Sequence, residues 1–443
     1  MTPSPSDLAI LLLALGLLLS VSHGFGHLMD RWRLPRVTGE ILGGLLLGPT
    51  VLGALAPGVE RAVFPTTGAV QIALDGMYQL GLLLLMFSAG SEMRGFFHRR
   101  ERRVVGWISV VGVVLPLGAG LGAVLAWRFV DLRGPAATDA AFGIVFSIAI
   151  AITSIPVISR IMLDLGILGS GFARIVLGVA VVEDVVLYIL LAVALGSVAS
   201  GSGDTWGLPA LIGIAPGTST SVLYRVLAEL GFLASMMTAG PTVYRRLLRP
   251  YNLVKRGSPI GFQLVFLFAC AALAAWLGVV PLLGAFVAGI VVSTSSGEGS
   301  ARAREAIKGF SFAFFIPLYF AIVGLRLDLL KQFDVAFFVP FFVFACVVKS
   351  ISVYAGARIG GERPPAARNL SIALNARGGP GIVLASVALD AAIIDGAFYS
   401  SLVLLAVLTS ILAGWWLGRA VRAGRVPREE PAGSTEGTTA SAG

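Results

Sequence analysis

Two adjacent acidic residues, Glu183 and Asp184, interrupt an otherwise apolar run that begins at Val181 and ends at Leu187. Packing does not explain them, because a carboxylate in an apolar interior loses its hydration and two neighbouring negative charges repel each other. Such a pair is stable when it holds protons or a cation and unstable when it holds neither. The pair therefore predicts a site at which a monovalent cation and protons compete.

Two hydroxyl side chains, Thr153 and Ser154, lie beside Pro156 in another apolar segment. Proline breaks a helix and frees backbone carbonyls, so this segment is expected to offer several oxygen atoms. Oxygen ligands suit a hard cation such as Na⁺ or K⁺, and no other metal site is expected. The two hydroxyls either bind the cation with the acidic pair or cap the kink in the helix.

Two basic residues, Lys349 and Arg377, lie inside apolar segments, where a charge is costly. Each either has a function, most simply to balance the acidic pair, or has a structural role. The structural alternative for Lys349 is that its amine extends to the end of its helix. Arg377 precedes a Gly378-Gly379-Pro380 break and would instead bind free carbonyls. An ion pair of the acids with either residue, for stability alone, is the alternative to a transport role.

The composition indicates an all-α polytopic membrane protein. Of 443 residues, 56% are hydrophobic and 13% are charged, and the mean hydropathy is +0.89. A membrane-spanning helix needs about 20 apolar residues. Thirteen such segments are predicted, with the eighth and ninth separated only by a turn near Gly278, so that twelve is the alternative count. They lie at 6–28, 37–57, 70–92, 104–127, 139–162, 174–198, 222–244, 260–277, 279–296, 309–327, 334–357, 368–390 and 396–418.

The net charge of +9 comes from basic residues on one side of the predicted membrane. Alternate connections contain 25 Lys and Arg in one set and 6 in the other. By the positive-inside rule, the N-terminus is outside and the C-terminus is cytoplasmic in a plasma or inner membrane. The charge therefore needs no nucleic-acid partner. The domain expected is a transmembrane domain over 1–428, followed by a low-complexity tail over 429–443 that is expected to be disordered.

An internal repeat is visible in the apolar segments. The ten residues from Gly39 resemble the ten from Gly284, at an offset of 245 residues. The second and ninth predicted helices carry them, and the fifth and twelfth both contain a break. Because each pair is seven helices apart, the halves would be inverted relative to each other. Two inverted five-helix repeats with crossed broken helices are typical of secondary transporters, whose binding site lies at the breaks.

Several motifs in order then resemble the monovalent cation:proton antiporters, in the branch that contains Kef-type and related sodium–proton exchangers. They are Gly39-Glu40-Ile41-Leu42-Gly43-Gly44 with Gly48-Pro49-Thr50, LLLLMFSAGSEM, the Glu183-Asp184 pair, FFIPLYFAIVGLRLDL and Asn375-Ala376-Arg377-Gly378. The resemblance covers about residues 8–420. It implies a homodimer with a dimerisation bundle and a mobile core bundle, and it implies that Asp184 carries the ion.

Two features depart from that family. Glu183 stands where Asp, Asn or Gln is usual, and residues 309–325 contain no basic residue, although electrogenic relatives often supply a lysine from that helix. The stoichiometry is therefore left open, as is the choice of Na⁺ or K⁺. No cytoplasmic nucleotide-binding domain, cofactor or catalytic activity is expected. A cation channel and a degenerate sensor or scaffold are the alternatives, but neither needs the acidic pair.

Overall fold

A computed structural model of the chain describes residues 4–32, 34–91, 101–127, 129–168, 170–198, 206–214, 218–247, 258–295 and 297–426. The predicted tail over 429–443 and much of the polar stretch over 199–221 lie outside the described residues. Regular structure within the described ranges is helical, apart from one isolated bridge between Arg133 and Ile394. The prediction of an all-α protein is therefore confirmed.

Twenty α-helices make up the described fold, and one π-helical turn, Ser311–Phe315, joins α15 to α16. In chain order they are α1 Pro5–Arg31, α2 Arg36–Leu47, α3 Leu52–Leu55, α4 Pro57–Val63, α5 Ala69–Ser91, α6 Arg102–Trp127, α7 Asp139–Ala151, α8 Ile155–Asp164, α9 Gly171–Gly196, α10 Leu208–Leu211, α11 Ser219–Thr238, α12 Gly240–Leu247, α13 Pro259–Trp276, α14 Pro281–Ser293, α15 Glu298–Phe310, α16 Ile316–Leu325, α17 Val335–Gly360, α18 Pro364–Ala373, α19 Gly378–Asp390 and α20 Gly396–Arg422.

A helix or a pair of helices occupies each of the thirteen predicted segments. Within the described ranges, nine helices are long and apolar enough to cross a membrane, with α2–α3 and α15–α16 each taken as one. The number rises to eleven if the bent pairs α11–α12 and α18–α19 are single spans. Helices α7 and α14 are apolar but shorter. The polytopic membrane fold is clear, and the count of thirteen stays a prediction.

The chain turns back between α13 and α14. This turn distinguishes the predicted count of thirteen helices from the alternative count of twelve. Gly278 has a φ of +75°, a conformation that favours glycine. A Cβ atom at Gly284 would lie 2.7 Å from the carbonyl oxygen of Cys270, so α14 packs closely along α13. The two helices are therefore separate and do not form one continuous helix.

Close backbone contacts between helices reveal the internal repeat. In the contact between α2 and α16, a Cβ atom at Gly44 would overlap the carbonyl of Ala321, and one at Gly324 would overlap the carbonyl of Ile41. Only glycine permits such an approach, because it has no side chain to separate the backbones. Each helix thus contributes one glycine to this contact, and a backbone carbonyl of the other helix packs against that glycine.

The contact between α5 and α14 repeats this arrangement. A Cβ atom at Gly289 would overlap the carbonyl of Phe87, and one at Gly90 would overlap the carbonyl of Phe286. The α14 positions follow the α2 positions by 245 residues, and the α16 positions follow the α5 positions by 234. The two contacts are therefore equivalent under the repeat, at the offset that the sequence predicts.

The two broken helices cross each other. The backbone of α7–α8 is open at 152–154 and that of α18–α19 at 374–377. Ser154 N donates to the carbonyl of Ala376, and Thr153 Oγ1 donates to that of Leu374, both at 2.6 Å. Both breaks lie slightly earlier than predicted. The prolines are in the first turn of the following helix, where the missing N–H would be unpaired in any case.

Candidate functional site

The end of α7 presents three carbonyl groups that the break leaves without helical partners. They belong to Ala149, Ile150 and Ala151, and two buried cationic side chains bind all three. Arg377 Nε donates to the carbonyl of Ala149 at 3.0 Å, and its Nη2 donates to that of Ile150 at 3.1 Å. Lys349 Nζ donates to the carbonyl of Ala151. Positive charge also suits the carboxyl end of a helix, whose dipole is negative there.

Arg377 makes further contacts that join three elements at the break. Its Nη2 donates to the carbonyl of Ala345 in α17 at 2.8 Å, and its Nη1 donates to Asn375 Oδ1 at 3.1 Å. The amide nitrogen of Asn375 in turn donates to Ser350 Oγ at 2.8 Å. The structure therefore places Arg377 against freed carbonyls and not against the acidic pair.

Lys349 is fully buried on α17 and does not extend towards the end of its helix. Its Nζ lies 2.5 Å from Glu183 Oε1, in an ion pair between α17 and α9. The absence of a basic residue from 309–325 thus does not leave the acidic pair without a lysine, since α17 supplies one. Sequence-based reasoning named Lys349 as a partner of the acidic pair but did not identify which of the two acids it meets, because the residues are 166 positions apart.

Asp184 has a different environment from its neighbour. It is 3% exposed, its Oδ1 atom has no hydrogen-bond partner, and no described cationic side chain forms an ion pair with it. Because successive residues of a helix point in directions about 100° apart, Asp184 faces away from Lys349. A buried carboxylate without a donor or a counter-ion is unstable unless it takes up a proton or a cation.

The hydroxyl of Thr153 lies beside the Glu183 carboxylate, and that of Ser154 lies within the break near the start of α8. Both residues are fully buried. Thr153 donates its hydroxyl proton to the carbonyl of Leu374. Pro156 is the second residue of α8. The break therefore places one hydroxyl, that of Thr153, beside Glu183, and no described contact joins Thr153 or Ser154 to Asp184.

A cavity of about 710 Å³ opens on the same end of the helices as the turn between α13 and α14. Its walls include Leu82 of α5, Leu195 of α9 and Arg225 of α11. One turn beyond Leu82, Met86 accepts a hydrogen bond from the hydroxyl of Tyr188 at 2.7 Å. Tyr188 is one turn from Asp184 on α9. This contact therefore lies between the cavity and Asp184.

Glu229 is a buried acidic residue that sequence-based prediction passes over. It lies in the apolar segment predicted over 222–244 and is 1% exposed in α11. An acidic residue inside a membrane-length apolar segment was the available signal, the same one that identified Glu183 and Asp184.

Comparison with known proteins places most of the chain in one family. Residues 12–423 match the profile described as "Sodium/hydrogen exchanger, transmembrane". The Na(+)/H(+) antiporter NhaS4 of Synechocystis sp. is 28% identical over 92% of this chain and 96% of its own length. The Na(+)/H(+) antiporter of Enterococcus hirae is 23% identical over 87% of this chain and 92% of its own length.

Other relatives are longer or are similar in fold alone. The K(+)/H(+) antiporter 1 of Saccharomyces cerevisiae is 26% identical over 92% of this chain, which spans 46% of the yeast protein. The solved structure of the sodium proton antiporter MjNhaP1 from Methanocaldococcus jannaschii matches with a TM-score of 0.64. That likeness covers 94% of this chain and 99% of the other at 13% identity, so it concerns the fold.

Proposed function

Since the chain belongs to the sodium/hydrogen exchanger family, we propose that it is a secondary antiporter that exchanges Na⁺ or K⁺ for protons, with Asp184 as the ion-carrying residue. The observation that carries this assignment is the asymmetry of the acidic pair. Glu183 has a lysine partner at 2.5 Å, whereas Asp184 is buried without one. A group in that position holds either a proton or a cation.

A carboxylate that binds either a cation or a proton, but not both at once, is sufficient for cation–proton exchange. If Asp184 is loaded with a cation on one side of the membrane and with a proton on the other, each species drives the other in the opposite direction. The empty, charged state is disfavoured because the carboxylate lies in an apolar interior. A return without cargo is therefore rare, and this couples the two fluxes.

Glu183 and Lys349 form the balancing pair of the proposed site, and Thr153 and Ser154 are the further cation ligands proposed. Arg377 and Asn375, with Pro156 at the start of α8, are proposed to hold the two breaks in register. Their contacts with the freed carbonyls support this role. It would keep the ends of α7 and α18 fixed while the cation enters and leaves.

The wider organisation follows from the family. We propose that residues 1–428 form the antiporter domain, with a core bundle of α6–α9 and α17–α20 and a dimerisation bundle of α1–α5 and α11–α16. We also propose a homodimer in the plasma or inner membrane, with the N-terminus outside and the C-terminus in the cytoplasm. The distribution of basic residues supports this orientation.

The substitution Asp184→Asn tests the assignment. Purified protein in liposomes, with a pH-sensitive dye and chloride salts of Na⁺ and K⁺, should show exchange for the wild type and none for Asp184→Asn. The variant should still fold, since asparagine has the same shape and removes a buried, unpaired charge. Asp334→Asn is the matched control, because Asp334 caps α17 at an exposed position where asparagine caps equally well.

Two results would contradict the proposal. Exchange by Asp184→Asn at the wild-type rate would remove Asp184 from the transport site. Cation flux through the wild type without any coupled proton movement would instead favour a channel. Comparison of Na⁺ with K⁺ in the same vesicles determines the transported cation.

A further inference from the structure

Glu229 is a buried acidic side chain of the proposed dimerisation bundle that has no hydrogen-bond partner among the described residues. It is 1% exposed, and neither Oε1 nor Oε2 has a hydrogen-bond partner among the described residues. A buried carboxylate in this state is unstable if it is ionised and isolated. Packing does not require it, since a leucine or methionine would fill the same space without that instability.

Glu229 lies one helical turn beyond the cavity. Arg225, four residues earlier in α11, lines the cavity wall, and no ion pair within 4.0 Å joins the two residues. Helix α11 is held in place near this point, because Ser221 Oγ donates to the carbonyl of Gly196 and Tyr224 donates to that of Leu277. Glu229 is therefore held one helical turn from the cavity wall.

Tyr188 connects Glu229 with the proposed transport site. The phenol is close enough to both Asp184 and Glu229 to interact electrostatically with each. Its hydroxyl is bound to Met86, and its ring packs against Phe286 at 6.1 Å between centroids. Helix α14, which also packs against α11, contains no titratable residue. Among the described residues, Glu229 interacts electrostatically with Arg225 and Tyr188, and Asp184 lies beyond Tyr188. Helix α12, which also packs against α11, carries Tyr244, Arg245 and Arg246.

We propose that Glu229 is a second proton- and cation-exchanging site, located between the cavity and Asp184. The inference rests on the proposed function, since it assigns Glu229 to the pathway that leads to Asp184. An ion that enters the cavity passes Arg225 first and reaches Glu229 next. Glu229 gives it a negative oxygen ligand before the Tyr188–Met86 contact opens. The ligand of Glu229 is either a proton or a monovalent cation. As at Asp184, one carboxylate does not hold both at once.

Carbodiimide labelling tests this site without any transport. N,N′-dicyclohexylcarbodiimide reacts with protonated carboxyl groups in apolar surroundings, and peptide mass spectrometry locates the adduct. In the Asp184→Asn variant, we expect an adduct at Glu229 that decreases as the pH rises and when NaCl or KCl replaces choline chloride. Labelling of Asp184 in the wild type shows that the reagent reaches the interior. No adduct at Glu229, or one that is insensitive to pH and to both salts, would overturn the proposal.

A transport measurement determines on which side of the membrane Glu229 acts. With oriented vesicles, Glu229→Gln should raise the apparent KM for the cation on the cavity side by about threefold or more, because the carboxylate that binds the cation on its way to Asp184 is lost. The apparent KM on the opposite side and the melting temperature should stay at the control values of Glu305→Gln, an exposed acid on α15. Equal KM shifts on both sides, or a lower melting temperature, would indicate a structural role. An inactive wild type would instead refute the antiporter proposal, and the labelling result would still decide the fate of Glu229.

Discussion

Replacement of Arg377 by alanine should destabilise the protein and disable transport together. The Arg377 side chain donates to the carbonyls of Ala149 and Ile150, which lie in the last turn of α7 and have no helical N–H to bind. It also donates to the carbonyl of Ala345, but that residue lies inside α17 and keeps its helical partner. Two buried carbonyl groups of α7 are therefore left unsatisfied in Arg377→Ala, and Asn375 loses the donor to its backbone carbonyl and to its Oδ1.

The two carbonyl groups of α7 alone set a minimum for the loss of stability. Each buried polar group without a partner costs about 1–3 kcal/mol, so the loss should be roughly 2–6 kcal/mol. Water entering the space left by the side chain would bring the result towards the lower end of that range. Arg377→Lys should restore part of the loss, because an ammonium group reaches one carbonyl but lacks the planar fork that binds two.

Melting curves of detergent-solubilised protein, together with exchange in liposomes, measure both consequences. Transport should fall about tenfold or more, since a displacement of the break by about 1 Å has such effects in enzyme sites. Arg302→Ala is the matched control, because Arg302 is exposed and its ion pair among the described residues is with Glu298, one turn away in α15. A variant Arg377→Ala that melts and transports like Arg302→Ala would refute the proposed role of Arg377 at the break.

Three further predictions concern the acidic pair, the repeat and the topology. Glu183→Gln should shift the pH dependence of exchange without abolishing it, since the buried lysine loses its charged partner while Asp184 stays intact; loss of exchange at every pH would make Glu183 essential. Gly289→Ala should lower stability by about 1–3 kcal/mol through its clash with α5, whereas Gly118→Ala, with open space around it, should stay within about 0.5 kcal/mol in the same melting assay. In a cysteine-free background, an impermeant thiol reagent applied outside cells should label Thr67→Cys and spare Glu298→Cys; labelling of both would invalidate the thirteen-helix topology.

Much of the architecture can be predicted from the sequence because it depends on local properties. Apolar segments of membrane length are recognised by composition alone, and a helix occupies each of the thirteen that were predicted. The positions of the two breaks are also local, since they depend on Pro156, Gly378 and Pro380, and the error was only a few residues. The repeat was detectable for a similar reason: Gly39 and Gly284, and likewise Gly44 and Gly289, lie 245 residues apart, and each stands where two backbones approach closely.

The chemistry of the acidic pair was likewise predictable as a type. Two carboxylates inside an apolar helix indicate a proton or cation site wherever that helix packs, because the cost of burial does not depend on the neighbours. The division of roles between them does depend on the neighbours. Adjacent positions in a helix point in different directions, and nothing in the run from Val181 to Leu187 indicates which acid meets a cation.

Only the tertiary structure decides that Glu183 meets Lys349 and that no cationic side chain in the described part of the chain meets Asp184. The same holds for Arg377, which was expected either to balance the acids or to bind carbonyls and which lies against the end of α7, 228 residues earlier in the chain. Such pairings form where crossed helices bring distant turns together. Hydrophobic periodicity specifies which face of a helix is buried, but the partner on that face is chosen by the packing of the whole bundle, since only there do the freed carbonyls and the buried charges come within hydrogen-bonding distance.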